Sequence, residues 1–122
     1  MTILYSTHIT GVGSYTSEAL EDHMMILFDD NAPTDAADYC FIHPHAELSA
    51  EIKVGNVLVL DQEAYPVTAV GNVANQNLAA LGHITLRFDG AENAEYPGTI
   101  HVQGQTPKAL NVGAKIIFEE SK

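Results

Sequence analysis

A succession of short β-type runs, each closed by a turn signal, constrains this chain more than any other feature. Ile3, Tyr5, Thr7 and Ile9 alternate with Leu4, Ser6, His8 and Thr10, the period-two habit of a strand. Met24-Met25-Ile26-Leu27-Phe28 is a continuous apolar run that predicts a strand buried on both sides, and Asp29-Asp30-Asn31-Ala32-Pro33 closes it as a turn. Gly55–Leu60 and Ala64–Val70 predict a hairpin through Asp61-Gln62-Glu63, with Pro66 pushing its second strand toward an edge. His83–Phe88 alternates strictly and stops at Asp89-Gly90. Thr99–Gln103 repeats the habit after Tyr96-Pro97-Gly98, and Lys115–Glu119 supplies a last strand. The best helix runs from Asn72, which can cap it, to Leu81, with Gly82 as its stop. Ser17–Asp22 and Thr34–Ala37 offer single helical turns at most. The expected fold is mainly β, a small closed β-barrel or barrel-like sandwich of about seven short strands with one short helix.

No linker or low-complexity stretch divides residues 1–122, so a single domain is expected. With 46% hydrophobic and 17% charged residues the chain is globular rather than disordered. No apolar run approaches the roughly 20 residues of a membrane span, and the N-terminal residues lack the basic and apolar stretches of a secretory signal. One cysteine cannot form an internal disulfide, which fits a reducing, cytoplasmic setting. Sixteen acidic residues against five basic ones give a formal charge of −11. A field of that sign opposes nucleic acid and anionic lipid and steers basic partners.

The chain has no glycine-rich phosphate loop, no Gly-x-Ser-x-Gly elbow and no Cys-x-x-Cys pair. Nucleotide binding, serine hydrolysis and a structural zinc site therefore lack support. Cys40, between Tyr39 and Phe41, reads as a small buried hydrophobe. Six histidines are the unusual currency. His8 and His23 stand singly in strand-like surroundings and read as structural. His43 and His45 straddle Pro44 at the end of an apolar run, where the proline ends the strand and restricts the residue before it. In an extended backbone both imidazoles point to one side. They then offer either two ligands of a metal site, completed by His83 or His101, or a stiffly held phosphoryl acceptor. A separate wet face would carry His83, Arg87 and His101 if the strands from His83 and Thr99 pair, and Arg87 is the one arginine of the chain. Ile52-Lys53-Val54-Gly55 and Leu110-Asn111-Val112-Gly113 echo each other before two strands, as a shared corner device.

The block Tyr39-Cys40-Phe41-Ile42-His43-Pro44-His45-Ala46-Glu47-Leu48 resembles the active-site segment of the glucitol/sorbitol-specific enzyme IIA component of the bacterial phosphoenolpyruvate-dependent sugar phosphotransferase system. Pro44 is a local variation on that segment. The likeness continues through Tyr65–Gly71, Asn77-Leu78, Leu81–Gly90 and Tyr96–Val102, in order and at matching length. It implies a small, mostly β, cytoplasmic phosphocarrier. The phosphocarrier HPr would deliver a phosphoryl group to His43, which would pass it to a cysteine of enzyme IIB as the sugar enters through the membrane component IIC. The resemblance assigns no role to His45, His83, His101 or Arg87, and it implies neither a cofactor nor a metal.

Overall fold

A computed structural model describes residues 2–120 and joins the β runs into one nine-stranded sheet. The strands are β1 (Ile3–His8), β2 (Gly11–Val12), β3 (Met24–Asp29), β4 (Phe41–His43), β5 (Val57–Leu60), β6 (Glu63–Val70), β7 (Ile84–Arg87), β8 (Thr99–Val102) and β9 (Lys115–Glu119). Three helices accompany them, α1 (Thr16–Glu21), α2 (Thr34–Ala37) and α3 (Ala74–Leu81). The spatial order is β1-β9-β5-β6-β8-β7-β3-β4-β2. The two end strands are consecutive in the chain. At that corner the Ile9 N–H donates to the Ala114 carbonyl beside β9, and the next N–H, of Thr10, donates to the Ile42 carbonyl on β4. The sheet therefore curls into a half-barrel rather than a ring closed by a ladder.

The mainly β reading holds, but the element count exceeds the expected seven strands and one helix. Strand β2, with two residues, is too short for periodicity to reveal, while the extra helices α1 and α2 fall where the sequence offers single helical turns, at Ser17–Asp22 and Thr34–Ala37. Two finer expectations fail. Strand β3 alternates, with Met25, Leu27 and Asp29 buried and Met24, Ile26 and Phe28 half-buried, so it is not covered equally on both faces. Strand β6 is central, between β5 and β8, despite Pro66. The proline is tolerated because it sits opposite Val57, the first residue of β5, where the ladder ends, and its carbonyl still accepts the Gln103 N–H.

Most neighbours pair antiparallel, whereas β3–β4 and β7–β8 run parallel. Leu4, Leu27, Phe41, Leu58, Leu86, Ile100 and Phe118 fill the concave side and are almost wholly buried. The two Val-Gly corners share a conformation: Gly55 and Gly113 have φ of 95° and 96°, a region open to glycine at little steric cost. Each corner turns the chain into one member of the β5–β9 pair. Phe118 lies on β9 opposite both Tyr5 and Leu58, so it links three strands. Phe118→Ala is expected to lower stability by about 3–5 kcal/mol. A urea midpoint shift equivalent to less than about 1 kcal/mol at unchanged slope would contradict that placement.

Candidate functional site

The pattern of β3 turns one carboxylate inward. In a strand, residues two apart share a face, so Asp29 follows Met25 and Leu27 toward the core and is only 2% exposed. The chain leaves β3 through the turn at Asp30–Pro33 and the single turn α2, and then returns as β4 parallel to β3. The register sets Leu27 beside Phe41, Phe28 beside Ile42 and Asp29 beside His43. This parallel pairing places an acid against the expected imidazole.

His43 is fully buried, so the stiffly held acceptor expected at this position is closed off from solvent. Its Nε2 lies 2.8 Å from the Gly82 carbonyl and its Nδ1 lies 2.9 Å from the Pro44 carbonyl. The Thr7 hydroxyl donates to the same Pro44 carbonyl at 3.1 Å and stands 3.4 Å from Nδ1. A carbonyl oxygen only accepts and a neutral imidazole carries one N–H, so the ring can bond one of the two carbonyls while the other covers its lone pair. Tyr5 packs edge-on against the ring at 6.1 Å. Burial, opposed in part by the Ala46 backbone and assisted by the Asp29 charge, pushes the Tyr5 hydroxyl up to about 12, so it stays neutral.

Gly82 closes the pocket. It ends α3 at φ 60°, with its N–H on the Leu78 carbonyl, and the chain then turns into β7. A Cβ there would stand 2.7 Å from His43 Cε1 and 2.9 Å from Asp29 Cβ, so the backbone approaches as only glycine allows.

His45 has the opposite character. The strand ends at His43, and the expectation of two imidazoles on one side does not survive the turn at Pro44: His43 is buried, while the His45 side chain is 45% exposed. Its Nδ1 donates to Asp29 Oδ2 at 2.7 Å, and the other carboxylate oxygen accepts the Asn31 N–H at 2.9 Å. The ring is thus fixed from below on a buried acid, with Nε2 directed away from that anchor. Asp29 and Gly82 were overlooked as site residues because their composition reads as a turn and a helix stop. The inward phase of Met25, Leu27 and Asp29 was the available signal for the acid.

The remaining sequence candidates lie elsewhere. Strands β7 and β8 do pair, Arg87 beside His101, but the face is wet only on the β7 side, where His83, Thr85 and Arg87 are half-buried, whereas all four residues of β8, His101 included, are buried. His101 donates from Nδ1 to Asp89 at 2.7 Å, while its Nε2 and Arg87 Nε are buried without partners. Asp89 is raised by burial, but the His101 and Ala91 N–H donors and the His101 charge outweigh this and hold it below the usual range. Arg87 registers with Met24 and His43 with Asp29, so five residues of β3, roughly 16 Å of strand, separate them. Arg87 therefore cannot meet a phosphoryl group held on His43. His83 stacks on Phe28 at 4.4 Å and uses Nδ1 on the Leu27 carbonyl. His8 lies exposed on β1, whereas His23 occupies a positive-φ turn rather than a strand and bonds Thr106. Among the described residues no group of three or more His, Cys, Asp or Glu side chains is arranged to hold a metal, so the His43–His45 metal site is not assembled. Cys40 is buried as expected, and burial pushes its thiol up to about 11.

Residues 4–117 match the family model for the glucitol/sorbitol-specific IIA component of the phosphotransferase system. The chain is 49% identical over 122 residues to glucitol/sorbitol-specific EIIA components of Shigella flexneri and Escherichia coli K12, covering 100% of this chain and 99% of each relative. Its fold superposes with a TM-score of 0.81 on the crystal structure of a phosphotransferase-system IIA component from Enterococcus faecalis, at 21% identity over 93% of this chain and 98% of the other. No helix among the described residues is long and apolar enough to cross a membrane.

Gly82→Ala is expected to lower stability by more than about 1 kcal/mol and to shift the His43 ring resonances, because φ and space both exclude the added carbon. Unchanged stability and resonances would contradict the contact. The Cys40 thiol, raised from 9.0 to about 11, contributes stability fully present below pH 9 and lost as pH rises through about 11. Cys40→Ala should flatten that alkaline limb in pH-dependent unfolding, and an unchanged limb would place the cause elsewhere.

Proposed function

The chain belongs to the family of glucitol/sorbitol-specific IIA components of the sugar phosphotransferase system, and on that footing we propose that it carries phosphoryl on His43. In this reading it is a cytoplasmic protein. It takes the group from phosphorylated HPr and gives it to the enzyme IIB cysteine, while IIC admits the polyol. The observation that supports the reading is that His43 is held beside Asp29 in the β3–β4 register, with one backbone carbonyl, that of Gly82, over Nε2.

The transfer needs little machinery beyond positioning. In the neutral tautomer that keeps Nδ1–H on the Pro44 carbonyl, Nε2 carries no proton, and its lone pair is freed for attack once the Gly82 carbonyl withdraws. Nε2 forms a bond to phosphorus as the donor's P–N bond breaks, and that electron pair returns to the donor imidazole. The reverse chemistry, with a thiolate sulfur attacking phosphorus, returns Nε2 to its resting state. The net charge of −11 suits a donor with a basic face.

A second reading is favoured by exposure: His45, anchored on Asp29 and 45% exposed, would itself accept the phosphoryl group. Incubation with phosphoenolpyruvate, enzyme I and HPr separates the two. Acid-labile phosphate is expected on the wild type and on His45→Gln but not on His43→Gln. Label lost only in His45→Gln selects the second reading, and an unlabelled wild type removes both.

A further inference from the structure

We propose that His45 is a further catalytic residue, positioned by Asp29, that donates a hydrogen bond from Nε2–H to the phosphoryl oxygens as the group passes to His43; this rests on the His43 reading. Three observations carry it. The imidazole is tied at one end only, by a 2.7 Å bond from Nδ1 to Asp29 Oδ2, and its side chain is 45% exposed. The anchor is built rather than incidental: Asp29 is 2% exposed and its second oxygen is committed to the Asn31 N–H. Finally, Asp29 registers with His43 and lies against the same glycine that covers His43 Nε2, so the His45 anchor and the acceptor share one pocket wall.

Charge explains why such a donor is needed. A phosphoryl group brings roughly two negative charges to a protein that already carries −11. Asp29 and Asp30 stand at the arrival point, and Arg87, the one guanidinium, lies at the far end of β3. When the His45 ring holds its second proton, Asp29 balances that charge from below and Nε2–H faces outward as a charge-assisted donor. A donor already oriented before the transfer stabilises the charge of the transition state without reorganisation. His45 forms no covalent bond and its protons stay in place; the P–N bonds made and broken are those of His43 and the donor protein.

The test is single-turnover phosphorylation by phospho-HPr at varied donor concentration, comparing wild type, His45→Gln, Asp29→Asn and the double variant. The label should remain on His43 in all of them. The maximal rate of His45→Gln should fall by about 10-fold or more, with the half-saturating donor concentration changed by less than about 3-fold, because the bond forms mainly in transit. The double variant should be no slower than His45→Gln within about 2-fold, because Asp29 acts through His45. If Asp29→Asn fails to fold, the partly exposed His45→Gln decides the matter alone. An unchanged maximal rate in His45→Gln overturns the inference and leaves the His43 reading standing. Label that vanishes in His45→Gln but persists in His43→Gln overturns both.

Discussion

The site depends on the parallel pairing of β3 with β4. A parallel return needs a crossover, and here it is only the Asp30–Pro33 turn, one turn of helix and the approach through Tyr39 and Cys40. The register of the pair is set where Leu27 meets Phe41 in the core. Once Leu27 stands beside Phe41, Asp29 must stand beside His43, and the alternation that buries Leu27 also buries the acid. An isolated buried carboxylate is costly unless its oxygens are bonded. His45 and the Asn31 N–H supply those bonds, so the demands of the strand pair reach outward to the surface imidazole.

The two histidines are therefore unlike, although they sit two residues apart. His43 belongs to the core, between Tyr5, Thr7 and the cap of α3, residues that lie 36 to 39 positions away in the chain. His45 belongs to the surface, with one buried anchor. The proposed phosphoryl transfer draws on both qualities: a ring held in one orientation, and an anchored surface imidazole whose other nitrogen has no partner among the described residues. The Gly82 carbonyl stands between the closed ring and its use. It lies at the end of α3 in a left-handed conformation, one residue before the His83 ring that bonds the Leu27 carbonyl of β3.

The strands were legible because period-two alternation survives even in runs of four residues, as in Ile84–Arg87 and Thr99–Val102. The helix ending at Gly82 was legible from its stop residue, though it begins after Val73 rather than at Asn72. Non-local facts were not legible. Nothing near Pro66 reveals that β8 would cover β6, and nothing near His101 reveals that its side chain would be buried. The burial of His43 escaped for the same reason, since Thr7 and Gly82 are remote in the chain. Asp29 escaped because an acid beside Asp30 and Asn31 has the composition of a turn, and only its phase with Met25 and Leu27 marks it as inward.

Long-range proton–nitrogen correlation of the histidine rings, before and after phosphorylation by phospho-HPr, tests the account most directly. The account predicts that His43 Nε2 gains the phosphorus and that Nδ1 keeps its hydrogen on the Pro44 carbonyl. A phosphorus coupling on His45, with the His43 ring unchanged, would contradict it.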